Sequence, residues 1–281
     1  MKTDVLIIGC GIAGATAALR LAEDRERQVV VLARSSDPAL SNSSWAQGGI
    51  VGHGADDSEE LLIQDVIASG AGLCHPPAVE LLAQEGPSLL EEVLIDRVGV
   101  EFDRDESGGL AFGLEGAHSR RRVLHVGDAT GEAVMNALLD RLRETPNVEL
   151  LAGHTAVDLL TFPHHSRDPL GVYEPPTCHG AYAFDQATRE VKRIVARHTL
   201  LATGGLGQIY LNTTNPAGSR GDGLAMAYRA GVRVINAEYV QFHPTALHKP
   251  GTTQPLISEA VRGEGAILIT PDGDRFMERY A

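Results

Sequence analysis

The sequence predicts an α/β fold, and three observations carry the prediction. A continuous apolar run, Val5-Leu6-Ile7-Ile8, leads into the glycine turn GCGIAG (9–14) and then an alanine-rich stretch with helical spacing through Leu19 and Leu21. A second β-branched run follows at 28–32, so the opening segment reads as strand, turn, helix, strand. Glycine and alanine are plentiful while aromatics make up only 5% of the chain, a balance that favours an α/β protein with loops close to a ligand over an all-β sandwich.

The remaining elements follow in order. Helical periodicity marks 58–68 and 78–84, with Pro76-Pro77 expected to break the chain between them. A long helix is predicted over 129–143, with Asp128 as its cap. Strands are expected at 148–151 and 155–162. The stretch 164–176, rich in proline, histidine and charge, reads as an exposed loop or hairpin tip. Strand character resumes at 181–184, 191–196 and 199–202, and the glycines of ATGGLG end it. A helix over 221–230 and a strand over 232–235 come next. From Glu238 the texture turns irregular and polar (QFHPTALHKPG), which sets the expected domains at 1–236 and 237–281.

Composition excludes several classes. A length of 281 residues suits one large domain or two smaller ones. The net charge of −13 argues against a nucleic-acid surface or an anionic-membrane patch, and the run Arg120-Arg121-Arg122 is too short to overturn that. Three cysteines (Cys10, Cys74, Cys178) without CxxC spacing suggest neither a disulfide framework nor a zinc site, which fits a reducing compartment. The start, MKTDVLIIGCG, has no signal-peptide h-region, and no apolar run reaches membrane-spanning length. A soluble, cytoplasmic protein with no metal, nucleic-acid or membrane partner is expected.

The glycine turn carries the first chemistry. Its glycines permit a tight bend and let backbone amides approach a pyrophosphate, while the following helix N-terminus supplies N–H groups and partial positive charge. A lone GxGxxG is weak evidence, but here it follows an apolar strand and opens a helix, the context that confirms it. The second strand ends in Val31-Leu32-Ala33-Arg34, where a ribose-binding acid would be expected. Arg34 cannot accept from hydroxyls. It could neutralise a phosphate, cover an adenine face, or simply be solvated, and an ordinary NAD dehydrogenase becomes less favoured.

Seven further stretches stand beside GCGIAG: SSWAQGGI (43–50), HVGDATG (125–131), LATGGLGQIY (201–210), GDGLAMAYRAG (221–231), QFHPTAL (241–247), SEAVRGEGAIL (258–268) and DRFMERYA (274–281). In order and spacing they resemble the flavoprotein family that contains fumarate reductase, succinate dehydrogenase and L-aspartate oxidase. The resemblance spans the whole chain and implies a Rossmann-like FAD-binding domain, a GR2-type βαβ nucleotide fold, followed by the start of an α+β capping domain. Within that family, LEGAHSRRRVLHVGDATG (114–131) is similar to the L-aspartate oxidase version, with Ala117 in place of a glycine. Respiratory members usually carry glutamine where Glu115 stands, and attach FAD through a histidine near the AQGG motif. Here Ser43-Ser44-Trp45 occupies that region, so the resemblance implies noncovalent FAD and aspartate oxidation.

What the resemblance implies can be followed residue by residue. Gly9, Cys10, Gly11, Ile12, Ala13 and Gly14 would hold the pyrophosphate, with Arg34 near the adenosine half. Asn42, Ser43, Ser44, Trp45, Ala46, Gln47, Gly48 and Gly49 would wrap the isoalloxazine side, and Trp45 would pack on the cofactor or fill core volume. Ala156 and Val157 would lie by the adenine. Ala202, Thr203 and Gly204 belong to the cofactor set, as does Asp222 near the ribityl or phosphate region; Asp222 could instead cap the helix that follows it, or do both. Binding a four-carbon dicarboxylate requires convergent cationic or hydrogen-bonding groups, because unpaired buried carboxylates are costly. His243, Ser258 and Arg262, with Glu259 beside them, match that need. Arg262 could instead pair with Glu259 or Glu264. Glu115 would attract the α-ammonium that separates aspartate from succinate.

The implied reaction moves a hydride from the aspartate α-carbon to flavin N5, giving iminoaspartate, with dioxygen or fumarate reoxidising the flavin. It would feed quinolinate and NAD synthesis, with quinolinate synthase as a downstream partner. Two alternatives stay open: a fumarate reductase or succinate dehydrogenase flavoprotein subunit, and a FAD-binding fragment without catalysis. DGDRFMERYA is expected to be an internal segment at which the chain has been cut, since related enzymes continue with a proton-shuttling arginine and a second FAD-binding segment.

Overall fold

The computed structural model of the chain describes residues 1–243, 245–248, 256–258, 261 and 265–280. In chain order the elements are β1 (Lys2–Ile8), α1 (Ile12–Leu21), β2 (Val29–Leu32), β3 (Ile50–Val51), α2 (Glu59–Ser69), α3 (Pro76–Leu89), β4 (Phe112–Gly113), β5 (Val123–Leu124), α4 (Thr130–Arg143), β6 (Val148–Leu151), β7 (His154–Phe162), β8 (Thr177–Asp185), β9 (Glu190–Leu201) and α5 (Asp222–Arg229). They fall into two compact units that divide the chain at 46/47 and 130/131, and the residues beyond 244 are shared between them. The sequence places its boundary elsewhere, at 236/237.

The first unit is built on a six-stranded sheet in the order β6-β2-β1-β9-β8-β7. Strands β6, β2, β1 and β9 are parallel, and β9, β8 and β7 form an antiparallel meander. Ile8 is in register with Leu32 on one side and Leu201 on the other. The carboxyl ends of β1, β2 and β9 therefore lie at one sheet edge, where ligands bind in open α/β sheets. The apolar runs are buried on both faces. Leu6, Ile8, Val30 and Leu32 join Leu159, Ala181, Ala183, Ile194, Ala196 and Met226 in one core cluster. The alternate residues Val5, Ile7, Val29 and Val31 point to the opposite face and are equally buried. Each such Leu or Ile contributes about 1.5–3 kcal/mol relative to exposure.

The second unit contains a small antiparallel sheet, β3-β5-β4, and the helices α2 and α3. Ser58 caps α2 by accepting from the Leu61 amide. Beyond α3 the chain continues in wide, i→i+5 turns over Leu90–Val98 and stops at Gly99, whose φ is 82°.

Several expectations are corrected. α2 and α3 are separate helices as expected, but Pro76 and Pro77 are the first residues of α3 and not a break ahead of it, because the first helical N–H groups have no intrahelical acceptor to lose. The strands expected at 191–196 and 199–202 are one strand, β9. α4 begins at Thr130, so Asp128 lies outside its cap position. No strand forms over 232–235: the Val232 amide donates to the Ala227 carbonyl at the end of α5, and β-branched residues make a strand only against a partner edge. Among the described residues no helix is long and apolar enough to cross a membrane.

Candidate functional site

The glycine turn joins β1 to α1 at the carboxyl edge of the sheet. Gly9 has φ +111°, and a β-carbon there would stand 2.2 Å from the Ala202 carbonyl oxygen. A β-carbon on Gly14 would stand 2.0 Å from the Gly9 carbonyl oxygen, so the helix packs directly on the turn. Two of the expected cofactor segments, 9–14 and 202–204, are thus brought together by glycine. Gly11 is the N-cap of α1, with no side-chain cap of its own and no acidic residue in the first turn. The Ile12 amide donates to Ser43 Oγ at 3.1 Å. This arrangement fits an anionic group at the helix N-terminus. Burial pushes the Cys10 thiol up to about 11, against the weaker pull of Arg143, so Cys10 is a packed thiol and not a nucleophile.

Arg34 leaves the end of β2 and forms an ion pair with Asp222 at 2.7 Å. Gly221 is the N-cap of α5, at φ 75°, and Asp222 is the first residue of the helix, an acid in its first turn. Thr203 lies against the same turn: a β-carbon on Gly223 would stand 1.9 Å from its hydroxyl oxygen. Ala156 and Val157 sit on β7 beside a register shift, with Val157 exposed.

The segment 42–46 is held by partners that sequence reasoning missed. Asn42 Nδ2 donates to Asn215 Oδ1 at 3.3 Å, and the Gly131 amide donates to the Ala46 carbonyl at 2.8 Å. A β-carbon on Gly131 would stand 2.0 Å from the Ser43 carbonyl oxygen. The signal was available, because Gly131 closes HVGDATG and Asn215 lies in the polar loop between LATGGLGQIY and GDGLAMAYRAG. Trp45 is half-buried.

In the second unit, Gln47, Gly48 and Gly49 lead into β3. Gln47 Oε1 is buried without a hydrogen-bond partner, an acceptor that a ligand donor would satisfy. Glu115 lies against this segment: its Oε1 is 2.7 Å from where a β-carbon on Gly48 would stand. Glu115 belongs to the loop joining β4 to β5, which the Arg122 amide closes on the Gly113 carbonyl at 3.2 Å. Arg122 is fully buried and grips Asp57 through Nε (2.8 Å) and Nη2 (2.7 Å). Its Nη1 reaches Asp65 Oδ2 at 2.5 Å. Burial opposes ionisation of Asp65, but the Ser119 N–H and hydroxyl and Arg122 outweigh it and hold the carboxyl below its usual range. His125 Nδ1 is paired with Asp103 Oδ2 at 2.8 Å.

His243 and Ser258 are both half-buried, and they lie in different units. Glu259 and Arg262 lie outside the described residues. Among the described residues, no group of His, Cys, Asp and Glu is arranged to hold a metal.

Comparison with known proteins agrees with this geometry. The FAD binding domain family matches residues 4–281. The chain is 46% identical to L-aspartate oxidase 1 of Ralstonia nicotianae, over 100% of this chain and 51% of the relative. It is 42% identical to the L-aspartate oxidase of Pseudomonas aeruginosa, over 99% of this chain and 51% of the relative. The chain thus spans about half the length of the curated relatives it matches. Among solved structures, it is similar to an E. coli quinol fumarate reductase FrdA variant, with a TM-score of 0.88 and 27% identity, over 99% of this chain and 45% of that one. A turn that excludes side chains at the carboxyl edge of a parallel sheet, an open helix N-terminus and a family match over nearly the whole length agree: the chain belongs to the FAD binding domain family.

Proposed function

We propose that this chain carries the FAD-binding part of an L-aspartate oxidase, which converts L-aspartate to iminoaspartate. The observation that carries the reading is the Glu115 carboxylate set against Gly48, inside the segment expected to wrap the flavin ring. A carboxylate there attracts an α-ammonium, which aspartate has and succinate lacks. The names of relatives 46% and 42% identical to the chain support the same reading.

FAD supplies the hydride acceptor when bound. In this reading Gly9, Cys10, Gly11, Ile12, Ala13 and Gly14 hold its pyrophosphate, noncovalently, through backbone amides at the α1 N-terminus. Arg34 and Asp222 act as one ion pair at the adenosine-to-ribityl side, with Ala156 and Val157 by the adenine. Residues 42–49 and Ala202, Thr203 and Gly204 complete the cofactor set. Glu115 orients the substrate ammonium, while His243, Ser258 and Arg262, with Glu259 beside it, bind the carboxylates. Residues 1–236 then serve as the cofactor domain and 237–281 as the beginning of a capping domain. The setting is the cytoplasm, with quinolinate synthase consuming the product.

A second reading, a fumarate reductase or succinate dehydrogenase flavoprotein, draws on the TM-score of 0.88. Steady-state turnover of the FAD-loaded protein with L-aspartate and with succinate separates the two. Aspartate is expected to be the better donor, and Glu115→Gln is expected to lower the aspartate-to-succinate ratio by about tenfold or more, the worth of one partly screened charge pair. Oxidation of succinate without oxidation of aspartate would sink the aspartate reading.

A further inference from the structure

The second unit contains an ionic cluster that the proposed function does not use. Arg122 is fully buried, and every edge of its guanidinium is occupied: the Nε/Nη2 edge by both oxygens of Asp57, and Nη1 by Asp65 Oδ2 and, at 3.2 Å, His118 Nδ1. The Asp57 side chain is itself only 2% exposed, so the pair is desolvated on both sides. Asp65 also accepts from the Ser119 amide at 2.8 Å and the Ser119 hydroxyl at 2.9 Å. The two acids come from the start and middle of the α2 region, whereas Arg122, Ser119 and His118 all come from the loop between β4 and β5.

That loop also carries Glu115. The His118 amide donates back to the Glu115 carbonyl at 3.2 Å, and the Arg122 amide closes the loop on Gly113. Behind it, the Arg122 carbonyl accepts from the Gly52 amide at 2.7 Å, and Arg120 Nε donates to the Asp56 carbonyl at 3.1 Å. The loop is therefore fixed at its distal half by charge, while its proximal half presents Glu115 to Gly48. A buried, bidentate arginine sets direction as well as distance, because its planar fork accepts its partners in one arrangement.

We propose that Arg122, clamped by Asp57 and Asp65, is the positioning residue that fixes the Glu115 carboxylate beside Gly48 and thereby sets the discrimination between amino and plain dicarboxylates. The inference rests on the reading of Glu115 given above. Arg122 touches neither substrate nor cofactor in this scheme; it acts through the loop.

The test uses Asp65→Asn, which removes charge but leaves acceptor capacity for Ser119, together with Arg122→Lys and Glu115→Gln. The first readout needs no flavin: tryptic cleavage after Arg120 and Arg121 is expected to be about tenfold faster in Asp65→Asn and Arg122→Lys, and unchanged in Glu115→Gln, because only the first two release the loop. The second readout is the aspartate-to-succinate ratio of kcat/KM in the FAD-loaded protein. It is expected to fall about tenfold in Asp65→Asn, and the double variant Glu115→Gln/Asp65→Asn is expected to be no worse than Glu115→Gln alone, the non-additivity of residues acting as a unit. An unchanged ratio in Glu115→Gln overturns the reading of Glu115 itself. A lowered ratio in Glu115→Gln with unchanged cleavage, or with additive losses in the double variant, overturns the positioning role and leaves Glu115 standing.

Discussion

Glu115 Oε1 occupies the space beside Gly48 that a side chain would need: only 2.7 Å separates the carboxylate oxygen from the position a Gly48 β-carbon would take. The neighbouring Gly49 meets backbone instead, with the Leu124 carbonyl oxygen 2.3 Å from its notional β-carbon. The difference has a consequence, because a flexible side-chain end can move aside and a sheet carbonyl cannot.

Gly48→Ala is therefore expected to leave stability within about 1 kcal/mol of the parent while displacing Glu115 and lowering the aspartate-to-succinate ratio about tenfold. Gly49→Ala should cost about 1–3 kcal/mol or more, as overpacking against a rigid neighbour does. Urea melts of both variants, with donor kinetics on the first, check the pair. Equal destabilisation by the two substitutions would count against the contact.

The Arg34–Asp222 pair is 31% and 46% exposed, so its contribution to stability is expected to be small, about 0–1 kcal/mol at most after solvent screening. Arg34→Ala should then barely move the urea midpoint while weakening FAD binding by about tenfold, measured by quenching of flavin fluorescence on titration. Flavin affinity equal to that of the parent would remove Arg34 from the cofactor set.

Ala117 holds φ +67°, a left-handed conformation that disfavours residues with a β-carbon. The strain is about 1–2 kcal/mol, partly offset by the greater unfolded-state entropy of glycine, so Ala117→Gly should stabilise the protein by about 0.5–1 kcal/mol. A lower melting temperature in Ala117→Gly contradicts this. The departure was visible in the sequence as EGAHS against a two-glycine family pattern, and the structure supplies its physical meaning.

Legibility follows the range of the interactions. The βαβ start was legible because Val5–Ile8 and 28–32 are buried on both faces and the glycines between them have a local steric purpose. The end of β9 at ATGG was legible too, but the packing of the glycine turn on Ala202 was not, since parallel neighbours are brought together across the length of the chain. The buried role of Arg122 was hidden for a similar reason: in sequence it is the third of three arginines, and only the fold brings Asp57 and Asp65 to it. The strand expected at 232–235 failed because β-branched composition is not sufficient without an edge to pair with. Glu115 was legible as a residue type through resemblance, while its contact with Gly48 required the β3-β5-β4 sheet.

Where β8 turns into β9, Lys192 Nζ on β9 stands 2.6 Å from Oδ2 of Asp185, the last residue of β8, and the Ala187 and Thr188 amides of the turn donate to Oδ1 at 2.9 and 3.2 Å. Lys192 first, and then the backbone amides, hold the Asp185 carboxyl well below the usual carboxylate range. Asp103 is lowered too, first by the Gly127 amide and then by His125, as is Asp65 in the Arg122 cluster. A carboxyl whose folded pKa is depressed binds fewer protons folded than unfolded. Its stabilisation is thus complete above the unfolded value of about 4 and is lost as pH falls through the folded value. Urea midpoints are expected to be flat from neutrality to about pH 5 and to fall steeply below about pH 4. Asp185→Asn removes one of these depressed carboxyls, so its acid slope should be shallower than that of the parent. A slope as steep as the parent's would show that Asp185 is not among the groups that couple folding to protons.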